Sequence, residues 1–456
     1  MPALDLQRPR RLHIVGAGGL AMSAISSILV SLGHQVSGSD QEPSAATDLL
    51  AGQGVRVAIG HGAANVGRVD AVIASTAIAP GNPELVEANR RGIPVLRRAD
   101  AMAAICASRQ TVAVSGTHGK TTTSSMLALI LIEAGLRPSF VIGGTVHELG
   151  GGWQWDDGDL FVVEADESDG TFLELGAEAV LVTSVEADHL DFWGTVEAIE
   201  HAFLRFVEEA PGPKVVCADD AGAARLARVP GTVTYGVAEH ADYRITGLVT
   251  TGSSVAFAVE HEGARVAEIS LPAPGTHNAR NACGAVVMAL LLGAPADAAE
   301  RAMARYAGVE RRYQRRGESD GVTFVDDYAH NPGKVHAALE AAAAGGWRRV
   351  VCVFQPHLYS RTFDLAAEFG QALGAADVVV VTDVYGSREA PVPGVSGKLI
   401  VEAILAAHPG QRVVWLPERS SLAAMVWKVL RPGDLCLTLG AGDVTQLPDE
   451  MLARRG

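Results

Sequence analysis

The stretch SGTHGKTTTS, residues 115–124, follows a short β-branched run and precedes an apolar helical pattern. A Walker A loop reads G-x-x-x-x-G-K-[ST]; its backbone N–H groups hold phosphate oxygens and its lysine reaches the β- and γ-phosphates. Here only Thr117 and His118 separate Gly116 from Gly119–Lys120, so the loop is two residues shorter. Shortening narrows the cradle but keeps its donors, and we predict a strand–loop–helix nucleotide site. The alternative is a plain turn rich in glycine and threonine.

Two acidic segments, VVEADESD at 162–169 and TSVEADHLD at 183–191, follow apolar runs that read as strands. They supply Glu164, Asp166, Glu167 and Asp169, then Glu186, Asp188, His189 and Asp191. Mg²⁺ prefers hard oxygen ligands, and ligands bind at the carboxyl ends of parallel strands. We therefore expect magnesium beside the phosphate loop, with the Thr121 hydroxyl as a further ligand. The alternative for each segment is a solvated acidic loop.

A second glycine turn, GAGGLAM at 16–22, follows a strand and opens a helix. That context suits a diphosphate, because backbone N–H groups and the helix dipole point at the ligand. Ala21 stands at the third glycine position of the dinucleotide-binding pattern, and Asp40 ends the second strand, about where such folds contact a ribose. From these residues alone, a structural turn, a nicotinamide dinucleotide and another nucleotide all remain open.

Short β-branched runs alternate with helical patterns along the whole chain of 456 residues. This alternation predicts an α/β protein with mostly parallel sheets, and the length predicts several domains. We divide the chain into residues 1–108, 109–316 and 317–456. Within the second section, residues 243–271 alternate polar and apolar side chains with the period expected of β-hairpins.

Composition argues against several classes of protein. The formal net charge is -15, which disfavours a nucleic-acid partner. No apolar run reaches the roughly 18 to 20 residues that cross a bilayer, and the N-terminus shows no apolar signal segment. Five cysteines lie far apart, as expected of free thiols in a reducing compartment. We expect a cytoplasmic protein with no membrane partner.

The phosphate loop and the acidic segments resemble those of the Mur ligase family, and further segments match that family in order and spacing. These are GTHNARNA at 275–282, RRYQ at 311–314, DDYAHNP at 326–332, FQPHLYSRT at 354–362 and GAGD at 440–443. The resemblance covers nearly the whole chain. Within the family, GAGGLAM, FQPHLYSRT and DVYGSREAPVPGVSG resemble the branch that joins L-alanine to UDP-N-acetylmuramate in peptidoglycan synthesis.

This resemblance implies a role for each section. The N-terminal domain would be Rossmann-like and bind the UDP-sugar, the central one a P-loop ATPase with added β-hairpins, and the C-terminal one Rossmann-like and bring the amino acid. ATP would transfer its γ-phosphate to the lactyl carboxylate of UDP-N-acetylmuramate, and the amine of L-alanine would attack the acyl phosphate. ATP and Mg²⁺ are the implied cofactors, and the chain is expected as a monomer or homodimer.

The resemblance also assigns residues to the ATP site. The catalytic residues would be Lys120, Glu164, His189 and Arg312. The ATP-binding residues would be Gly116, Thr117, His118, Gly119, Lys120, Thr121, Thr122, His277, Asn278, Asn281, Arg312, Asp327 and His330. Thr121 and Glu164 correspond to ligands of a first Mg²⁺, and His189 to a ligand of a second. Three alternatives stay open: His189 as a hydrogen-bonding residue, Asn281 as a helix N-cap, and the arginines at 311–316 as a solvated hinge.

The resemblance also assigns residues to the two remaining substrates. The residues that match the sugar-nucleotide site are Gly18, Gly19, Asp40, His61 and Ser75. Those that match the L-alanine site are Tyr328, His357 and Arg361. His61 reads equally well as a simple loop histidine. Two positions depart from the branch, because Asn331 replaces a second histidine and Leu358 a frequent arginine.

Three competing hypotheses remain. A recycling ligase would add an intact peptide to the same sugar nucleotide, but a grip suited to one small amino acid leaves little room for a tripeptide. A nicotinamide-dependent dehydrogenase would use GAGGLAM, and a non-catalytic nucleotide sensor would bind without turnover. Neither of the last two explains Lys120 beside two acidic strand ends.

Overall fold

The structure, a computed structural model, describes residues 4–251, 253–343, 345–387 and 389–453, apart from the side chains of His147 and Asp191. The Asp191 carboxylate, one of the expected acidic groups, therefore lies outside the described residues. The chain forms two compact units, the first mostly from residues up to Ala307 and the second mostly from Gly308 onward. Across the described ranges, no helix is both long and apolar enough to cross a membrane.

The first unit begins with a parallel sheet of short apolar strands covered by helices. The strands are β1 Arg11–Val15, β2 Gln35–Asp40, β3 Arg56–Ile59, β4 Ala71–Ala74 and β5 Val95–Arg97, and the helices are α1 Leu20–Ser31, α2 Ala45–Gly52, α3 Pro83–Arg90 and α4 Arg98–Cys106. The order is β3-β2-β1-β4-β5, and every pair is parallel. The order reverses between β1 and β4, the point outside which such sheets bind ligands.

A ten-stranded sheet follows. Its strands are β6 Gln110–Ser115, β7 Ser139–Val146, β8 Gly151–Gln154, β9 Leu160–Glu164, β10 Ala179–Val182, β11 Lys214–Cys217, β12 Thr232–Gly236, β13 Tyr243–Thr250, β14 Val255–His261 and β15 Ala264–Leu271. The order is β15-β14-β13-β12-β11-β10-β6-β9-β7-β8. β6 pairs in parallel with β9 on one side and β10 on the other. The phosphate loop and both acidic segments therefore leave the sheet at the same edge.

Helices and a hairpin complete this part of the chain. The helices are α5 Lys120–Glu133, α6 Leu190–Trp193, α7 Val196–Glu209, α8 Ala221–Ala224, α9 Thr276–Leu291 and α10 Ala296–Ala304. α5 packs against α9 and α10 and is buried along its middle. Glu262 and Gly263 join β14 to β15 with φ values of 51° and 78°, which fit the type I′ turn of a hairpin. The hairpin prediction is confirmed for this pair.

The second unit is a six-stranded sheet between two layers of helices. The strands are β16 Gln314–Ser319, β17 Val322–Asp327, β18 Arg349–Phe354, β19 Val378–Val381, β20 Val413–Trp415 and β21 Asp434–Leu439, and the helices are α11 Pro332–Ala343, α12 Tyr359–Asp364, α13 Ala366–Leu373, α14 Gly397–Ala407, α15 Arg419–Val429 and α16 Leu447–Leu452. The order is β16-β17-β21-β18-β19-β20, parallel except for β16 against β17. Apolar cores lie on both faces of the sheet. The predicted α/β class with largely parallel sheets is confirmed.

Candidate active site

The phosphate loop turns tightly between β6 and α5. Gly116 and Gly119 adopt φ values of 133° and 81°, which glycine tolerates best. A Cβ on Gly116 would lie 2.2 Å from the Thr183 hydroxyl, and one on Gly119 would lie 2.5 Å from the Asn281 side-chain oxygen. The short loop therefore needs glycine at both positions for space as well as for backbone conformation.

Two backbone donors of the loop already have protein partners. The N–H groups of Thr117 and His118 donate to the carbonyl and the hydroxyl of Ser184, each at 3.0 Å. The first N–H groups of an α-helix have no partner within the helix. We therefore expect phosphate oxygens to meet the first turn of α5, which contains the predicted residues Thr121 and Thr122.

Lys120, the first residue of α5, is held by two acceptors. Its Nζ donates to the Gly116 carbonyl at 2.8 Å and to the two Glu167 carboxylate oxygens at 2.7 and 3.0 Å. Glu167 is 2% exposed, and this burial raises the pKa of its carboxyl group although Lys120 opposes the shift. The sequence placed Glu167 among the carboxylates expected near magnesium but did not pair it with Lys120. The structure makes it the direct partner of the lysine.

Thr121 and Glu164, the predicted ligands of a first magnesium ion, lie in contact. The Thr121 hydroxyl donates to one Glu164 carboxylate oxygen at 2.9 Å, and the other oxygen accepts from the Gly143 N–H at 2.6 Å. A hydroxyl and a carboxylate at the start of a phosphate-binding helix are hard oxygen donors of the kind that Mg²⁺ takes beside nucleotide phosphates. The residues present therefore fit this ion.

His189 belongs to a second group of possible ligands. One ring nitrogen of His189, one carboxylate oxygen of Asp166 and one of Glu167 all lie within 4.8 Å of one another. The His189 Nε2 atom is 3.9 Å from Glu167 and 3.7 Å from Asp188. The backbone of His189 has a φ of 52°, in the left-handed region. The sequence predicted Asp166 and Glu167 at the same edge as His189 but did not assign them to the same metal ion.

Three of the predicted ATP-binding residues lie at the start of α9. His277 and Asn278 belong to its first turn, and Asn281 follows in the second. α9 begins at Thr276, so the alternative that Asn281 is only an N-cap is wrong. Burial lowers the pKa of His277 and favours a neutral ring. Asn281 instead approaches the phosphate loop at Gly119, which no pattern in the sequence indicated.

The glycine turn of the first sheet is tied to the end of β2. The Gly18 N–H donates to the Asp40 carboxylate at 2.7 Å, and a Cβ on Gly18 would lie 2.9 Å from that oxygen. A Cβ on Gly16 would lie 3.1 Å from that of Ser75, which follows β4. Gly19 is the N-cap of α1. These predicted sugar-nucleotide residues meet at the carboxyl edge of the sheet, where the strand order reverses.

His61, the fifth residue of that set, follows β3 and contacts the side chains of Ser39 and Glu84. Its Nδ1 atom lies 3.1 Å from the Ser39 hydroxyl and 3.6 Å from a carboxylate oxygen of Glu84. The side chain is 13% exposed. His61 is therefore a fixed and largely buried side chain of the same edge.

In the second unit, Asp327 ends β17 next to Arg312. The two Asp327 carboxylate oxygens accept from the backbone N–H groups of Tyr313 and Ala329, each at 2.7 Å. Burial raises the pKa of this carboxyl to about 6, while Arg312 and the two hydrogen bonds oppose the shift. The Arg312 guanidinium lies 5.9 Å from the centroid of the Tyr328 ring.

The residues assigned to L-alanine form one cluster with His330. The His330 ring lies 4.8 Å from the Tyr328 ring and 5.7 Å from the His357 ring, centroid to centroid. Burial lowers the pKa of His330 to about 4, so it is neutral near pH 7. Arg361 lies 3.3 Å from His357 Nδ1, and the Tyr385 ring stacks 6.2 Å from the His357 ring. Tyr385 was missed, although it lies in the DVYG segment that carried the resemblance.

The two positions that depart from the branch each make a local hydrogen bond in the structure. Leu358 has a φ of 67° and its N–H donates to the Tyr385 carbonyl at 3.1 Å, which fixes the backbone beside His357. The Asn331 side-chain oxygen accepts from the Lys334 N–H at 2.8 Å at the start of α11. Asn331 therefore supports the helix that follows the cluster.

Arg311 is fixed and is not part of a solvated hinge. Its guanidinium donates to the Gly440 carbonyl at 2.6 Å and lies 3.5 Å from the carboxylate of Asp326, which is fully buried. The same group lies 4.8 Å from the Tyr328 ring centroid. The hinge alternative is wrong for this residue, which ties the RRYQ segment to the GAGD turn.

The chain belongs to the Mur ligase family. Residues 11–110 match the model described as the Mur ligase family catalytic domain, 114–289 the Mur ligase middle domain, and 311–442 the Mur ligase glutamate ligase domain. The three matches follow the order expected from the sequence motifs.

Relatives within the family carry a more specific name. The UDP-N-acetylmuramate–L-alanine ligase of Saccharopolyspora erythraea is 47% identical over 97% of this chain and 93% of its own length. That of Anaeromyxobacter sp. is 44% identical over 99% of both chains. The crystal structure of the UDP-N-acetylmuramate-alanine ligase of Thermotoga maritima matches with a TM-score of 0.81 at 28% identity, covering 98% of this chain and 99% of the other. A murein peptide ligase from Psychrobacter arcticus shares the fold, with a TM-score of 0.69 at 23% identity over 97% of this chain and 98% of the other.

Proposed function

We propose that this protein joins L-alanine to the lactyl carboxylate of UDP-N-acetylmuramate in peptidoglycan precursor synthesis, with cleavage of ATP to ADP and phosphate. The observation that carries the proposal is the similarity to L-alanine ligases over nearly the full length of both chains, at 44% and 47% identity. Arg361 beside His357 and Tyr328 supports the choice of an amino acid, because a guanidinium binds a carboxylate through two parallel hydrogen bonds.

In the first step, an oxygen of the lactyl carboxylate bonds to the γ-phosphorus of ATP and the bond from that phosphorus to the ADP oxygen breaks. Two anions must approach, so the site has to supply positive charge that is already in place. Lys120 lies at the start of α5, where it can exchange its Glu167 partner for phosphate oxygens. We assign Arg312 a further phosphate contact.

Magnesium fits the residues around the loop. Thr121 and Glu164 would hold one ion, and His189 with Asp166 and Glu167 a second. When bound, Mg²⁺ would neutralise charge on the phosphate oxygens. The alternative that His189 only makes hydrogen bonds stays open beside this assignment.

In the second step, the neutral amine of L-alanine bonds to the carbonyl carbon of the acyl phosphate, and phosphate leaves with the pair of electrons from the broken C–O bond. The ammonium form must lose one proton before it attacks and the new amide nitrogen loses another. We infer that Tyr328, His357 and Arg361 orient the amino acid for this attack, since orientation alone lowers such barriers by several kcal/mol.

We also propose a division of labour among the sections 1–108, 109–316 and 317–456, which would bind the sugar nucleotide, ATP and L-alanine respectively. The assignment of Arg312, Asp327 and His330 to ATP rests on the family resemblance alone. We expect the protein in the cytoplasm, where ATP and nucleotide sugars are made.

The test is a reaction with each substrate omitted in turn. We expect ADP, phosphate and UDP-N-acetylmuramoyl-L-alanine in equal amounts by mass spectrometry, and only when all three substrates are present. Lys120→Ala is the control for contaminating activity. Equal phosphate release without the sugar nucleotide would contradict the proposal, and product formation with a tripeptide in preference to L-alanine would favour the recycling ligase.

A further inference from the structure

Glu84, near the start of α3, is a fully buried carboxylate with no counterpart in the reaction proposed above. It accepts hydrogen bonds from His13 Nε2 at 3.1 Å, the Ser39 hydroxyl at 2.6 Å, the Gly62 N–H at 3.1 Å and the Asn65 side-chain amide at 2.7 Å. Burial alone would raise the pKa of this carboxyl, but these donors lower it to about 2. Glu84 is therefore ionised and accepts only.

The direction of each hydrogen bond follows from that charge. Ser39 has one hydroxyl hydrogen, and it must point at the Glu84 oxygen 2.6 Å away, because an ionised carboxylate cannot donate. The same Ser39 oxygen lies 3.1 Å from His61 Nδ1 and can only accept there. His61 Nδ1 must therefore carry the hydrogen. In a neutral imidazole, this leaves Nε2 with a lone pair.

The Nε2 atom of His61 has no hydrogen-bond partner among the described residues of this protein. His61 follows β3 at the carboxyl edge of the first sheet, the edge that also holds Asp40 and the glycine turn. Glu84 fixes the loop of His61 at two further points, through Gly62 and Asn65. The His61 imidazole is thus held in one orientation, and its Nε2 atom can accept a hydrogen bond from a ligand.

We propose that Glu84 is a positioning residue of the sugar-nucleotide site: acting through Ser39, it holds His61 as an acceptor for one hydrogen-bond donor of the bound uridine. This inference rests on the proposed function. The donor is the uracil N3–H or a ribose hydroxyl, and both carry the same chemistry. A purely structural Glu84 would impose the same tautomer on His61, but uridine binding would then not depend on the His61 Nε2 acceptor.

The first test needs no variant of Glu84. The protein is labelled with ¹⁵N in its 14 histidines, and His61 is assigned from the signal that disappears in His61→Ala. At about pH 8, where an ordinary histidine is neutral, we expect its Nδ1 to be protonated and its Nε2 to resonate as an unprotonated nitrogen. A His61 ring protonated at Nε2 would overturn the proposal.

The second test identifies the donor. Binding of UDP-N-acetylmuramate is measured by calorimetry beside its N3-methyl, 2′-deoxy and 3′-deoxy analogues, in the wild type and in His61→Ala. We expect one analogue to bind about tenfold more weakly to the wild type, the size of one lost hydrogen bond, and to suffer no further loss in His61→Ala. Equal losses in both proteins for every analogue would contradict the inference. No binding of the parent nucleotide would instead contradict the proposed function.

The third test addresses Glu84 directly. Glu84→Gln should weaken the binding of UDP-N-acetylmuramate at least about tenfold. It should leave ATP binding unchanged, and unchanged ATP binding also shows that the variant is folded. Glu87→Gln is the matched control, since this residue lies on the same helix and pairs with Arg90 at the surface. The effects of Glu84→Gln and His61→Ala should not add, because they remove the same contact. Fully additive effects would show that Glu84 acts elsewhere.

Discussion

Arg361 lies 3.3 Å from His357 and is only partly exposed. If it binds the carboxylate of L-alanine, Arg361→Ala leaves that charge unpaired. We expect the KM for alanine to rise by a factor that corresponds to about 2 to 5 kcal/mol, with the KM for ATP unchanged. Steady-state kinetics with each substrate varied in turn measures both values.

The control for that experiment is Lys398→Ala, which removes an exposed cation paired with Glu402 on α14 of the same unit. It should change neither KM. Equal increases in the two KM values for Arg361→Ala would place this residue outside the amino-acid site.

Asp327 gives the site a pH dependence. Burial raises the pKa of its carboxyl to about 6, above the ordinary 3.8, so in the folded protein it takes up a proton as the pH falls through 6. The family resemblance implies that Asp327 contacts the ribose of ATP; its ionised form would then accept hydrogen bonds from ribose hydroxyls, and its protonated form would lose an acceptor. We expect the KM for ATP to rise as the pH is lowered below about 6.

The free energy of unfolding should increase as the pH falls, whereas ATP binding weakens. A carboxyl group with a raised pKa binds protons in the folded state before the unfolded state does, so its contribution to stability grows as the pH falls from about 6 towards 3.8. In Asp327→Asn, the KM for ATP should be high at every pH. It should lack the part of the rise below about pH 6 that comes from protonation of Asp327. A parallel pH profile in wild type and Asp327→Asn would refute the assignment.

Part of the site could be predicted residue by residue. The loop lysine and Glu164 follow from local patterns, because a phosphate loop needs a cation and magnesium needs an acid at the next strand. Glu167 and Glu84 could not be assigned from the sequence. Their roles depend on burial and on partners far along the chain, such as Ser39 for Glu84, and no local pattern encodes either.

At the scale of elements, the two ends of α5 allow a matched comparison. Gly119 precedes the helix with a φ of 81° and Gly135 follows it with a φ of 74°. A Cβ on Gly119 would lie 2.5 Å from Asn281, whereas one on Gly135 would meet no atom within 4 Å. Alanine at either position costs about 1 kcal/mol in backbone strain, but only Gly119→Ala also displaces Asn281.

We therefore expect Gly119→Ala to raise the KM for ATP at least about tenfold, a loss of roughly 1.4 kcal/mol of binding. Gly135→Ala should lower only the melting temperature. Calorimetric melting and the KM for ATP distinguish the two. Identical behaviour of both variants would mean that the contact at Asn281 has no part in nucleotide binding.

Elements were predictable where periodicity is strong, and less so at their ends. The apolar runs before the phosphate loop and before both acidic segments form strands, as their composition predicted. α9 begins at Thr276, five residues before Asn281. This start could not be predicted, because GTHNARN is polar and shows no apolar period. β16 runs antiparallel to β17 at the edge of its sheet, and alternation along the chain gives no information on strand direction.

At the scale of the whole molecule, the second group of possible metal ligands contains two carboxylates and a histidine but no lysine. A lysine carbamylated by CO₂ can serve as a carboxylate-like ligand, but no lysine lies between Lys120 and Lys214. Lys214 begins β11, and its Nζ lies 3.5 Å from the Pro230 carbonyl. If a second magnesium ion binds here, Asp166 and Glu167 beside His189 would supply the carboxylates instead.

Turnover should therefore be indifferent to bicarbonate. The assay compares rates in CO₂-depleted buffer before and after bicarbonate is added at constant pH, with the intact mass recorded for carbamate. We expect equal rates. Loss of activity on depletion with recovery on addition would show that a lysine elsewhere in the chain reaches the metal.

The order of the three sections and the α/β class could be predicted from the whole sequence, because each section carries its own strand-turn-helix pattern. Their exact bounds could not: the division after residue 316 falls inside β16, since the arginine-rich segment at 311–316 carries no hydrophobic period. These bounds stay a prediction.

If the lactyl carboxylate accepts the γ-phosphate of ATP, an oxygen isotope placed in that carboxylate reveals the transfer. UDP-N-acetylmuramate with ¹⁸O in its lactyl carboxylate is turned over with ATP and L-alanine, and the released phosphate is analysed by mass spectrometry. An acyl phosphate breaks at the carbonyl carbon, so the account predicts one carboxylate ¹⁸O in each phosphate. Phosphate free of ¹⁸O, with product formed at the normal rate, would contradict it.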